Sequence, residues 1–134
     1  MAVFDLQVVT PFGMRFEGKA EAITVNTTAG MITVMAGHTD YMAAVVVGKA
    51  RIKTEDTSLS AVCGNGFLSV ENGKCNLLAN SFDFASDLDK EKVENDLLLA
   101  ENLLDNAKTD ADKTIAKGKK QLATLRLSLL ASNE

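Results

Sequence analysis

The chain has 134 residues, 46% hydrophobic and 24% charged, with a formal net charge of −4; that fits one globular domain, or one domain with an appendage. A net negative chain disfavours nucleic acid as the main partner, and no segment reaches the roughly 20 apolar residues of a membrane-spanning helix, which excludes direct membrane insertion. The two cysteines, Cys63 and Cys75, suit a reduced compartment and a buried core better than a disulfide framework.

The opening MAVFDLQVVT has no basic n-region or small-residue cleavage site, so it is not read as a signal peptide. Residues 1–85 read as strands. Phe4, Leu6 and Val8 alternate with Asp5, Gln7 and Val9, the period of two of a half-buried strand. Thr10-Pro11-Phe12-Gly13 reads as a turn, because proline presets φ and glycine takes the positive-φ position. In EAITVNT, Ile23 and Val25 share a face, and Ala29-Gly30 then turns the chain into MITVM. Asn26-Thr27-Thr28 has the form of a glycosylation sequon but reads as a strand end.

Residues 35–48, MAGHTDYMAAVVVG, contain the only histidine. His38 at a loop-to-strand junction is open to three readings: a catalytic base, a metal ligand or a hinge residue. Gly37 reads as a turn and Tyr41 to Val47 as the strand that follows. ARIKTE is a strand with Arg51 and Lys53 facing out. SLSAVCGNGFLSVENGKCNLLAN holds two strands about Glu71-Asn72-Gly73-Lys74, whose Asn-Gly pair is a strong hairpin signal. Short strands with glycine turns roughly every 8–12 residues indicate a β-sandwich or barrel.

Residues 86–134 change period. Ser86 with Asp89, and Thr109 with Asp112, have the Ser/Thr-x-x-acid form of a helix start. Val93, Leu97, Ala100, Leu104 and Ala107 recur at spacings of four and three, as do Ala111, Ile115, Gly118, Leu122, Leu125 and Leu129 with one four-three-four-three-four run. Each makes a narrow apolar stripe suited to one neighbouring helix, and a turn near residues 106–110 makes the pair an antiparallel hairpin. Residues 88–107 hold six acids and two lysines, and residues 108–131 six basic residues and two acids, so the two helices carry opposite charge. Two single stripes form a thin core, and a hairpin of marginal stability is expected.

Catalytic constellations are missing. Gly48-Lys49 and Gly73-Lys74 lack the earlier glycine of a phosphate-binding loop. Gly64-Asn65-Gly66 leads into a strand, where no helix terminus could meet a phosphate, and reads as a bulge or turn. One histidine and two well-separated cysteines are a poor zinc set, so no metal site is expected. The residues indicate a binding module.

The chain resembles the epsilon subunit family of F-type ATP synthases (the mitochondrial delta subunit) over essentially its full length. The resemblance rests on Val8-Val9-Thr10-Pro11, Phe16-x-Gly18, Thr27-Thr28-Ala29-Gly30, Gly37-His38-Thr39 before Met42-Ala43-Ala44, Gly48 before Arg51, Gly66-Phe67-Leu68-x-Val70, Leu77-Leu78-Ala79-Asn80 and Asp87-Leu88-Asp89. It implies a sandwich of about ten strands followed by an antiparallel two-helix hairpin. It implies a non-catalytic rotor subunit on the central stalk, bound to gamma through Gly37, His38, Thr39, Tyr41 and Met42, and resting on the c-ring through Thr28, Ala29, Gly30 and Met31. The helices would reach the alpha and beta subunits and restrain ATP hydrolysis. The location implied is peripheral, on the cytoplasmic face of the bacterial plasma membrane, and the isolated subunit is expected to be a monomer.

The chain departs from the family pattern at Ala36 (usually proline), at Thr33-Val34-Met35 (usually Gly-Ile-Leu) and at Ala29-Gly30-Met31, where an acidic or polar residue commonly follows the glycine. An apolar contact through Met31 is the expected substitute. Some relatives bind ATP through a hydrophobic-Asp-x-x-Arg-Ala motif and arginines on the second helix. Here the matching residues are Leu88, Asp89, Lys92, Val93 and Arg126. Lysine lacks the planar fork of arginine, and Val93 adds bulk, so no cofactor is expected and ATP is at most a loosely held regulatory ligand. The competing readings are a stand-alone sandwich adaptor with a dimerising hairpin, and a small nucleotide-sensing regulator.

Overall fold

A computed structural model describes residues 2–132, which fall into two compact units divided between Phe84 and Ala85. Among the described residues the first unit holds ten strands: β1 (Phe4–Thr10), β2 (Gly13–Ala20), β3 (Ala22–Thr27), β4 (Gly30–Met35), β5 (Tyr41–Val45), β6 (Gly48–Lys53), β7 (Ser58–Cys63), β8 (Gly66–Glu71), β9 (Lys74–Ala79) and β10 (Phe82–Phe84). They form two five-stranded layers, β4-β3-β6-β7-β10 and β5-β8-β9-β1-β2, joined where Thr27 of β3 meets Val45 of β5. All pairs are antiparallel except β1 with β9.

The period of two sets the core. Phe4, Leu6 and Val8 point inward with Ile23, Val25, Ile52, Leu68 and Leu77, while Arg51 and Lys53 are exposed, as the alternation predicts. The β1–β2 register skips Arg15 at a bulge opposite Val8 and Val9, which re-aims its side chain. Its Nε donates to the Phe82 carbonyl at 2.9 Å, linking β2 to β10 across the open seam. The sandwich is therefore nearly a barrel.

Two details differ from the sequence reading. Residues 58–79 hold three strands, because Ala61, Val62 and Cys63 are buried in succession and hide the alternation of β7. The strand from Tyr41 ends at Val45, because Val46 N–H donates to the Asn26 carbonyl (2.9 Å) and Val47 N–H to Asn65 Oδ1 (3.0 Å) as the chain crosses between layers. The hairpin at Asn72-Gly73 is as expected, with both residues at positive φ (52° and 76°), the demand of a type I′ turn. Gly64 and Gly66 are there for room: a Cβ at Gly64 would overlap the Asn80 side chain, and one at Gly66 the Leu78 carbonyl oxygen. Both cysteines are buried free thiols, and burial pushes Cys63 up to about 12 and Cys75 to about 11.

The second unit has a 3-10 turn (Ala85–Asp87) and helices α1 (Lys90–Asp105) and α2 (Asp110–Ser132), packed against each other. Thr109 caps α2 as expected, its Oγ1 accepting from Asp112 N–H at 3.1 Å. Ser86 does not cap α1. It lies in the 3-10 turn, and extended Asp89 takes the position, its carboxylate accepting from Glu91 N–H at 3.0 Å. The α1 stripe is as read, with Val93 and Ala100 buried and Leu97, Leu104 and Ala107 half-buried. The α2 stripe holds at Leu122, Leu125 and Leu129, which are half-buried or buried, and differs before them. Ala111, Ile115 and Gly118 are exposed, and Ala116 and Ala123 are buried instead. Small side chains let helices approach closely, so alanine takes the seam and the larger isoleucine is left outside. No described helix is long and apolar enough to cross a membrane.

Candidate functional site

The turn carrying Thr28, Ala29, Gly30 and Met31 is built on the preceding threonine. Thr27 Oγ1 accepts from Ala29 N–H (3.1 Å) and donates to the Gly30 carbonyl (2.7 Å), and Gly30 adopts φ 107°. Thr28, Ala29, Gly30 and Met31 are all exposed on this braced turn. Met31 then begins the outward face of β4, continued by Thr33 and Met35.

Gly37, His38, Thr39, Tyr41 and Met42 lie at the other end of β4, in the passage to β5. Gly37 turns the chain at φ 81°, and His38 N–H donates to the Met35 carbonyl at 3.2 Å. His38 Nδ1–H donates to the Thr39 carbonyl at 2.7 Å, and its ring meets Tyr41 edge-on with centroids 5.6 Å apart. Asp40 Oδ1 accepts from Asn72 N–H at 3.2 Å, which ties this loop to the β8–β9 turn. Both described partners of His38 fix its position: a backbone carbonyl and an aromatic ring. Ala36 packs against the core. Among the described residues, no group of three or more His, Cys, Asp or Glu side chains could hold a metal.

On the second unit, Asp89 is occupied as the cap of α1, and Lys92 is exposed beside buried Val93. Arg126 lines a groove of about 320 Å³ between α1 and α2 with Asp96, Leu99, Ala100, Leu122 and Ala123. Leu88, Asp89, Lys92 and Val93 are not among the residues lining that groove. Lys119 lines it as well, so the groove holds two basic side chains and one acidic one.

An apolar row on the outer face of the β5-β8-β9-β1-β2 layer is not legible from the family motifs. Register aligns Ala44 with Phe67, Phe67 with Leu78, Leu78 with Val9 and Val9 with Met14. Phe67 and Leu78 are 57% and 55% exposed, and Met42 lies two residues along the same face of β5. The signal was present in Phe67-Leu68 and Leu77-Leu78, since two consecutive apolar residues in a strand put one on each face.

Residues 3–85 match the family described as ATP synthase, Delta/Epsilon chain, beta-sandwich domain. An ATP synthase epsilon chain of Ruminococcus albus is 28% identical over 130 residues, covering 96% of this chain and 97% of the relative. One from Mycoplasmopsis pulmonis is 31% identical over 131 residues, covering 92% of each. Among solved structures, a chain of the Euglena gracilis mitochondrial ATP synthase (OSCP/F1/c-ring) superposes with a TM-score of 0.75 at 19% identity, covering 99% of this chain and 82% of that one.

Proposed function

Because this chain belongs to the ATP synthase delta/epsilon family, we propose that it is a non-catalytic central-stalk subunit, coupling rotation of a membrane ring to the catalytic head of an F-type ATP synthase. The observation that carries the reading, beside the family match, is the outward row of Val9, Met14, Phe67 and Leu78. A surface of this kind, exposed on a folded β-layer, suits a permanent protein neighbour. We assign it, with Met42 and the adjoining Gly37–Tyr41 loop, to the gamma subunit, and the Thr28–Met31 turn to the c-ring. Relatives of this fold come from assemblies described as OSCP/F1/c-ring and central stalk/c-ring. The location that follows is peripheral, on the cytoplasmic face of the membrane.

The test is a pull-down of the tagged full-length chain from native membranes. Recovery of alpha, beta, gamma and c subunits is expected, and their absence overturns the reading in favour of a stand-alone adaptor. Phe67→Asp with Leu78→Asp should sharply lower gamma recovery while the free subunit stays a monomer by gel filtration.

The alanine seam of the hairpin favours a second role, restraint of ATP hydrolysis by an arm that rearranges at low cost. Removing residues 86–134 should then raise the hydrolysis rate of the assembled complex, and an unchanged rate would remove this role. ATP is not proposed as a tight ligand, since Asp89 serves as a helix cap and the groove lined by Arg126 is not lined by Leu88, Asp89, Lys92 or Val93. Sub-millimolar binding in isothermal titration would overturn that.

A further inference from the structure

Sulfur is sorted by residue type in the sandwich. Cys63 and Cys75 are each 1% exposed, and Cys63 Sγ donates to the Gly64 carbonyl at 3.3 Å. Burial raises both thiols far above neutral pH, so neither supplies a reactive thiolate. The four methionines among the described residues lie outside: Met42 is 71% exposed, Met31 58%, Met35 54% and Met14 49%. Methionine is ordinarily found in cores. Here the core is built without it, from aliphatic side chains, Phe4, Phe82 and the two cysteines. Strand register accounts for each position. Met14 aligns with Val9 and Met42 with Ser69 on the β5-β8-β9-β1-β2 layer, while Met31 and Met35 share the outward face of β4 with Thr33.

The two kinds of sulfur differ in what an oxidant needs from them. A thiol must first lose its proton, whereas a thioether reacts as it stands, so exposure sets its rate. A peroxide reaching the folded chain therefore meets methionine first. A lone pair on Sδ attacks one peroxide oxygen, and the S–O bond forms as the O–O bond breaks. Sulfur gives up two electrons, and the departing oxygen takes the proton of the transferred one and leaves as water. The product carries a strong hydrogen-bond acceptor where an apolar group stood. In the row beside Met14, Val9, Leu78 and Phe67 offer that oxygen no side-chain donor, whereas Met42 has the Ser69 hydroxyl aligned with it. Covering an oxidised Met14 with an apolar neighbour leaves the oxygen dehydrated and unpaired, which is unfavourable.

We propose that Met14, Met31, Met35 and Met42 are sites of reversible oxidation by peroxide on the folded free chain, and that the sulfoxide at Met14 bars the chain from the neighbour that covers its outward row. Oxidation precedes assembly, because assembly covers the row. Methionine sulfoxide reductase reverses it: a dithiol is oxidised to a disulfide, and the sulfoxide oxygen leaves as water. The bar to assembly rests on the central-stalk reading above; the four sites do not.

The test treats the free full-length chain with hydrogen peroxide, removes the excess with catalase and maps the peptides. Sulfoxide should form at all four methionines about tenfold or more faster than Cys63 or Cys75 is oxidised. Thermal unfolding of the oxidised chain should stay close to that of the untreated one, because the core holds no methionine. The chain is then added to solubilised synthase depleted of this subunit, and recovery of gamma is measured. Oxidation should lower recovery by about tenfold or more, and methionine sulfoxide reductases A and B with dithiothreitol should restore it. Each variant is compared with its own untreated level: peroxide should no longer lower recovery by Met14→Leu, and should still lower recovery by Met42→Leu. Cysteine oxidation that keeps pace, a methionine that stays unoxidised, or unfolding by the treatment overturns the four sites. Full recovery by the folded, oxidised chain, or a Met14→Leu variant as sensitive as wild type, overturns the bar at Met14. If the untreated chain recovers no gamma, the central-stalk reading has failed and the bar with it, while the sulfoxide map still decides the sites.

Discussion

The sandwich and the hairpin solve the problem of burial with different side chains. In the sandwich, Leu6, Ile23, Ile52, Leu68 and Leu77 interlock between two layers, and each branched side chain removed from water contributes about 1.5–3 kcal/mol. In the hairpin the buried set includes three alanines, Ala100, Ala116 and Ala123, beside Val93 and Leu129, while Leu98, Leu99, Leu103 and Ile115 stay in solvent. Apolar content is therefore not what separates the two units. What matters is whether the large side chains are the buried ones. A unit with several of its larger residues outside, such as Leu98, Leu99, Leu103 and Ile115, keeps those available for another surface.

The largest expected effects test that contrast directly. Leu68→Ala should destabilise the sandwich by about 3–4 kcal/mol in urea unfolding, whereas Ile115→Ala on α2, at a position 59% exposed, should change stability by less than about 0.5 kcal/mol. Comparable costs at the two sites would break the comparison. Gly→Ala substitutions should differ even in sign. Gly66→Ala, with no room beside the Leu78 carbonyl, should cost about 2–3 kcal/mol. Gly118→Ala, in open space on a helix, should stabilise by about 0.5–1 kcal/mol.

Smaller effects sharpen the same picture. Thr109→Ala removes the cap of α2 and should cost about 1 kcal/mol, visible as lost helical circular dichroism with the β signal intact. The thiols report on the sandwich alone. Cys63 and Cys75 should resist iodoacetamide near pH 8 while folded, and react only with the unfolding of that unit. Their raised pKa values favour the neutral thiol in the folded state. The stability they contribute is thus full below the ordinary value of 9.0 and falls as pH rises toward about 11 and 12. A loss that begins well below pH 9 would have to come from other groups.

The sequence by itself determined the elements whose signals are local. Alternation in Phe4–Thr10 and Ala22–Thr27, the Asn72-Gly73 turn, the Thr109 cap and the α1 stripe all follow from constraints within a few residues of chain. The motifs also carried the family resemblance, since ordered short matches survive where overall identity is low. Tertiary structure decided what depends on residues distant in sequence. It exchanged Ile115 for Ala116 at the helix seam, because the best occupant depends on how closely a second helix approaches. It turned Phe67, Leu78, Val9 and Met14 into one row, because register between strands brings them level. It also gathered uncharged turns at one end of the sandwich, where Phe12, read from the sequence only as part of a turn, is 88% exposed.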